Sequence, residues 1–130
     1  MSKLLFTAIL LTLDQLTKHF APNTICNPYI SWSIPLHGFF LWIFIIIALS
    51  FLIHALKKNN FPYSLLLITT GAIGNIIDRL HSNCVIDFIS LSTIPLLNKI
   101  HFLATFPTFN LADTFITIGA VWFLWRELKK

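Results

Sequence analysis

Charge is scarce in this chain. Only 11% of its residues are Asp, Glu, Lys or Arg, against about a quarter in an ordinary soluble domain. So few charges cannot cover a water-facing surface. Hydrophobic residues make up 56% and come in long runs rather than amphipathic stripes, so lipid is the expected solvent. Cysteine is scarce too. Cys26 and Cys84 are the two present, and they form no CxxC pair, which argues against a zinc site. There is no internal repeat and no low-complexity segment. The 130 residues suit one compact unit, a single domain over 1–130. No small-residue A-x-A site follows the first apolar run. Lys3 and Leu4–Leu13 imitate the start of a cleaved secretory signal, but a retained span is the preferred reading.

What charge there is lies in a pattern. The net charge of +4 would suggest nucleic acid on a soluble protein. Here Lys3, Lys57, Lys58, Arg126, Lys129 and Lys130 sit at the two termini and in one short turn. That distribution describes membrane topology, with no nucleic acid as partner. Apolar stretches predict spans at about 4–20, 38–56, 61–77 and 106–125. Pro22, Pro28 and Pro35 break the first connection, Lys57-Lys58-Asn59-Asn60 makes a basic turn, and Leu80–Thr105 forms a longer loop. Four spans put both termini and the basic turn on one side. The positive-inside rule makes that side cytoplasmic and turns the long loop outward. The expected fold is an all-α membrane protein of four transmembrane helices, with both termini cytoplasmic and a small outer-face loop or β region.

Five residues are acidic, and Glu127 lies in the basic tail. The other four, Asp14, Asp78, Asp87 and Asp113, all fall at outward span ends or in outer loops. An aspartate at mid-helix costs roughly 2.5–3.5 kcal/mol on insertion scales, so an apolar chain that keeps four has a use for them. Helical spacing groups their neighbours. Asn75, Asp78 and Arg79 share one face, but Asp78 and Arg79 are adjacent and do not face each other, so Arg79 is free to reach another carboxylate. Asn110 and Asp113 are three apart on the fourth span. Asp14 and Lys18 are four apart, in the favourable orientation for a pair. Two carboxylates brought close share one proton. The ionised member then takes a proton from water while the protonated member polarises a carbonyl. Peptide hydrolysis needs no more than that. Buried structural pairs, a proton path in a carrier and a scaffold subunit are the competing uses. A carrier would place charge at mid-span and often carry an inverted repeat, and neither is present.

The motifs also come in a telling order. Asp14-Gln15-Leu16-Thr17-Lys18 is followed by Asn27-Pro28-Tyr29-Ile30-Ser31-Trp32-Ser33 and then by Gly71-Ala72-Ile73-Gly74-Asn75-Ile76-Ile77-Asp78-Arg79. Val85-Ile86-Asp87-Phe88-Ile89 and Phe109-Asn110-Leu111-Ala112-Asp113 complete the series. Over nearly its whole length the chain resembles the lipoprotein signal peptidases, also called signal peptidase II. The resemblance implies an aspartic endopeptidase that cuts a prolipoprotein just before its diacylglyceryl-cysteine. The enzyme would sit in the bacterial cytoplasmic (inner) membrane, multi-pass, with its active site facing outward. It implies Asp87 and Asp113 as the catalytic dyad. Asn27, Asn75, Asp78, Arg79 and Asn110 would bind substrate or support the site, with Asp14 and Lys18 partly structural. No cofactor is implied. The partners would be the prolipoprotein and membrane lipids, and the chain would act as a monomer.

Some positions depart from the family pattern. Tyr29, Ile30 and Trp32 replace Gly, Ala and Phe, and Thr70 replaces a Gly. The first outer loop looks short, which leaves the size of the family's small outer β-platform open. The stretch from Ser90 to Thr105 is long and apolar, and its Ile94, Leu96, Leu97, Ile100, Phe102 and Leu103 suit a membrane surface. Cys26 and Cys84 both fall outside. A disulfide between them competes with two free thiols, and sequence alone favours the thiols because it gives no distance. His54 reads as interfacial, and no ligand spacing links His81 with His101. Trp122 and Trp125 read as interface anchors.

Overall fold

The structure, a computed structural model, describes residues 2–29, 38–97 and 99–129. Ile30 and Trp32 therefore lie outside the described residues.

Helix α1 runs Lys3–Phe20, and the Ser2 hydroxyl accepts the Leu5 N–H at its start. That satisfies one of the donors a helix N-terminus leaves open. Strand β1 (Ile25–Asn27) follows. Helix α2 runs Phe39–Lys58 and α3 Tyr63–Ser82. Among the described residues α2 is the one helix both long and apolar enough to cross a membrane. After α3 come strand β2 (Val85–Asp87), a 3-10 turn (Leu91–Thr93), the short α4 (His101–Ala104) and finally α5 (Leu111–Leu128). Among the described residues the chain is mostly helical, with one two-stranded sheet.

Two helices have ends other than the sequence suggests. The third run continues past Ile77 to Ser82 and stops at Asn83, which takes the left-handed conformation (φ 58°). That is a common helix C-terminus, and Asn tolerates it. The polar cluster Asn75–Arg79 thus lies on α3, as its helical spacing suggests. Conversely, Phe106–Phe109 precedes α5 instead of opening it. Asn110 caps α5, its side-chain oxygen accepting the Asp113 N–H at 2.9 Å.

The helices meet through small residues. Gly71 lies against the Ala112 carbonyl of α5 and Gly74 against the Asp14 carboxylate of α1, and a methyl group at either would collide. Close backbone approach of this kind is how helices associate in lipid, where apolar burial gives no net drive. Away from the polar cluster, Leu52, Leu56, Leu65 and Leu66 form an apolar core with Phe6 and Phe123 packed on it. In the long loop Ile94, Leu96, Ile100 and Phe102 are exposed.

β1 and β2 pair antiparallel, Ile25 opposite Asp87, Cys26 opposite Ile86 and Asn27 opposite Val85. The loop between α1 and α2, though short, therefore does contribute a strand. Its Cys26 is bonded to Cys84, with the Cα atoms 5.4 Å apart. The expectation of two free thiols is corrected here. The strand register brings the two residues together, a proximity that sequence separation conceals. Replacing both by Ser is expected to lower stability by about 2–4 kcal/mol, as for other crosslinks that close long loops. Denaturation midpoints of the double variant and the oxidised parent check this, and equal midpoints would contradict it.

Candidate active site

Asp14, Asp78, Asp87, Lys18, Arg79, Asn75 and Asn110 are all buried, an unusual density of polar groups for so apolar a chain. Buried charges persist only when paired and hydrogen-bonded, and each of these side chains makes at least one hydrogen bond.

Lys18 is the hub. Its ammonium lies 2.8 Å from Asp14 Oδ2 and 2.7 Å from Asp78 Oδ2, and it donates to Asn75 Oδ1 at 3.1 Å. The expected Asp14–Lys18 pair therefore exists, with Asp78 as a second partner. Asp14 does more than neutralise Lys18. Its Oδ1 accepts the Ala112 N–H at the start of α5 (2.9 Å), where a negative charge also meets the positive end of the helix dipole. Asp78 accepts the Ile86 N–H (3.2 Å) and so ties β2 to α3. Gln15 donates to both Asp14 Oδ2 and Asp78 Oδ1 at 3.1 Å, joining the two carboxylates. Sequence reasoning had not singled out Gln15. Its place beside Asp14 on a helix facing α3 was the available signal.

Arg79 does not become the partner of a distant carboxylate in its hydrogen bonding. Nη1 donates to the Asn75 carbonyl (3.1 Å) and Nη2 to the Tyr29 carbonyl (2.8 Å). It thereby anchors the chain just after β1, and Tyr29, where the family pattern has glycine, serves through its backbone. Tyr29 N–H in turn donates to Asn27 Oδ1 (3.0 Å). Thr70, at the other substituted glycine, is buried and donates its hydroxyl to the Leu66 carbonyl (2.8 Å).

Two aspartates remain, Asp87 at the end of β2 and Asp113 in the first turn of α5. Each is held by asparagine amides. Asn27 Nδ2 donates to Asp87 Oδ2 at 2.9 Å, and Asn110 Nδ2 to Asp87 Oδ1 at 2.8 Å. Asn75 Nδ2 donates to Asp113 Oδ1 at 2.9 Å. Asn110 also donates to Asn75 Oδ1 (3.2 Å), so one amide chain links the two acids. Paired donations between Phe109 and Ile89 fix the loop after β2 beside the start of α5.

Asp87 and Asp113 line one cavity of about 270 Å³, with Leu91, Phe106, Phe109 and Ile118 among its apolar walls. Asp87 is 1% exposed and Asp113 is half-buried. Burial pushes the Asp87 carboxyl up to about 6. The Asn27 amide opposes that rise, and the negative charge of Asp113 adds to it. A carboxyl that keeps its proton into the mildly acidic range, next to a second carboxylate on one cavity, can run acid and base chemistry together. A larger apolar cavity of about 440 Å³ lies between α2, α3 and α5, with Asn75 and Arg79 in its wall.

Every residue expected at the site thus falls in one connected cluster, with Asp87 and Asp113 facing the cavity and Asp14, Lys18 and Asp78 behind them. Residues 6–129 match a family described as Signal peptidase (SPase) II. The lipoprotein signal peptidase of Thermodesulfovibrio yellowstonii is 38% identical over 94% of this chain and 91% of its own length. That of Burkholderia cenocepacia strain J2315 is 49% identical over 56% of this chain, a match spanning 39% of its own length. Two solved structures, each described as a bacterial membrane enzyme, share the fold. One has a TM-score of 0.77 at 27% identity, covering 98% of this chain and 93% of the other. The second has a TM-score of 0.76 at the same identity, over 98% and 87%.

Proposed function

The chain belongs to the signal peptidase II family, and from that premise we propose that it is an aspartic endopeptidase acting on diacylglyceryl-modified prolipoproteins. It removes their signal peptides at the outer face of the bacterial cytoplasmic membrane. The observation that carries this reading is the pair Asp87 and Asp113, lining one cavity and each held by an asparagine amide.

The chemistry follows from the two environments. Asp113, half-buried on the cavity, acts ionised and takes a proton from water. The water oxygen attacks the scissile carbonyl carbon. Asp87, buried and slow to lose its proton, hydrogen-bonds the carbonyl oxygen and delivers that proton as the oxygen becomes negative. The result is a neutral tetrahedral diol. Asp113 then returns its proton to the leaving nitrogen, and Asp87 takes one back from a diol hydroxyl. The C–N bond breaks and the dyad is restored. No cofactor takes part in this scheme. Asn75, Asn27 and Asn110 orient the acids. Asp14, Lys18, Asp78 and Arg79 hold α1, α3, α5 and β2 in the arrangement that brings them together.

Topology supports the same reading. Helices of 18–20 residues extend about 27–30 Å, enough to cross a hydrocarbon core of about 30 Å. In the proposed arrangement α1, α2, α3 and α5 all cross. The Lys3 ammonium donates to the Asn60 carbonyl (3.1 Å), so the start of α1 meets the basic turn, and the dyad lies at the opposite end of the helices. With the basic end in the cytoplasm the dyad faces outward. A lipid-anchored cysteine would hold its scissile bond at that depth.

The diacylglyceryl-modified precursor should be cleaved far faster than the unmodified one, because each buried methylene contributes about 0.8 kcal/mol to holding the substrate. Rates on the two purified precursors in the same detergent measure the ratio. Equal rates would remove the lipid from the recognition.

The pH profile gives a second expectation. Below its acid limb both aspartates are protonated and no base is left. Above its alkaline limb the shared proton is gone and no acid is left. The alkaline limb of kcat/KM is expected near pH 6, where Asp87 loses its proton, though it belongs to the pair. The Asn27 amide stabilises ionised Asp87, so Asn27→Ala should move that limb to higher pH as well as lower the rate. A limb that stays still or moves down would contradict the assignment of Asp87 as the proton holder.

A further inference from the structure

The end of the helices opposite the dyad carries a further cavity, about 390 Å³, which the peptidase reading does not use. That size falls in the range of small-ligand clefts, about 300–1,000 Å³. Lys3 reaches it from the first turn of α1 and Arg126 from the last turns of α5. Tyr63 and Trp122 supply aromatic walls, and the turn residue Asn60 closes one side. Ser64 also lines it and is 1% exposed, and its hydroxyl is buried without a hydrogen-bond partner. No acidic residue is among the lining residues. Two cations from helices far apart in sequence, beside aromatic walls, make a site for an anion with several acceptor oxygens.

The neighbouring surface shows what carries that anion. Trp122 is shared with an apolar cleft running along α5 past Val121, Ile118 and Trp125, and these four side chains are 47–63% exposed. An amphiphile with a phosphate head and an acyl chain would fill both at once. A signal peptide would not, because its basic amino-terminal region would meet Lys3 and Arg126. We propose that this cavity binds the headgroup phosphate of an anionic phospholipid, with one acyl chain lying along α5. The site itself follows from these residues alone. Its assignment to the inner leaflet rests on the topology proposed above.

The test uses the full chain, delipidated in detergent and titrated with phosphatidylglycerol, phosphatidylcholine or inorganic phosphate, with bound ligand counted by native mass spectrometry. Phosphatidylglycerol should be retained about tenfold or more over phosphatidylcholine, since each cation near a membrane surface contributes a factor of about five. Lys3→Gln with Arg126→Gln should abolish the preference, and Arg126→Gln alone should reduce it. Lys57→Gln with Lys58→Gln removes the same charge at the same end and should leave it intact. Thermal midpoints and cleavage of the lipidated precursor by the same variants should stay near the parent values. That separates loss of the lipid site from loss of the fold or of the peptidase. Absence of a preference would overturn the proposal. So would equal loss in the Lys57/Lys58 variant, which would mean diffuse attraction only. Inorganic phosphate displacing the lipid at equal concentration would overturn the lipid as occupant.

Discussion

Asp87→Asn and Asp113→Asn are each expected to lower turnover by about a thousandfold or more while leaving the protein folded in the membrane. An amide keeps the size and much of the hydrogen bonding of a carboxyl but cannot pass the shared proton. Asn27 and Asn110 donate to Asp87, and Asn75 donates to Asp113. The single amide oxygen can still accept the Asn75 bond at position 113 and one of the two bonds at position 87, so the geometry largely survives and the chemistry does not. The effects should be strongly non-additive. Once one acid is gone the other has no partner to exchange with, and the double variant should be little worse than either single one. Product formed per folded enzyme, at matched concentration, is the measurement. A single variant with near-parental turnover would exclude the dyad mechanism.

Lys18→Met should be the most damaging change outside the dyad. It leaves Asp14 and Asp78, both nearly inaccessible to solvent, facing each other without the cation that lies 2.7–2.8 Å from each. Breaking a buried pair from one side typically costs about 3–5 kcal/mol. Here the loss reaches the site, because Asp14 also holds the first turn of α5, and Asp78 also holds β2. Stability and activity should therefore fall together. Adding Asp78→Asn should recover part of the stability, since one uncompensated charge is removed with its cation. Denaturation midpoints of parent, single and double variants form the check. A double variant less stable than Lys18→Met would mean that Asp78 contributes more through Ile86 and Gln15 than it loses as an unpaired charge.

Much of this cluster is readable from spacing alone. Asp14 and Lys18 pair because they are four apart on a helix. Asn75, Asp78 and Arg79 share a face because α3 stays helical through them. The order of the five motifs carries the family resemblance, and that resemblance implies Asp87 and Asp113 before any geometry is known. What spacing leaves out is which donor meets which acid. Asn75 on α3 serves Asp113 on α5, and Asn110 at the start of α5 serves Asp87 on β2. Those are contacts between elements far apart in sequence, fixed by how closely α3 and α5 approach at Gly71. The disulfide is of the same kind, since strand register and not sequence distance brings Cys26 to Cys84. Helix ends were mislaid for a different reason. Polarity at Asp78 and Arg79 closes the apolar run at Ile77 although α3 continues to Ser82, and apolarity at Phe106–Phe109 imitates a span. The better signals were local: Asn110 with an acid three residues on marks a helix start, and Asn83 marks an end.

The central claim is that this chain hydrolyses the bond on the amino-terminal side of a diacylglyceryl-cysteine, with Asp87 and Asp113 as its acid and base. Mass spectrometry of a purified diacylglyceryl-modified prolipoprotein, before and after incubation with the purified protein, tests it most directly. The predicted result is one new species shortened by the signal peptide, beginning at the lipidated cysteine, and formed by the parent but not by Asp87→Asn or Asp113→Asn. An unchanged precursor, or a cut at any other bond, would contradict the account.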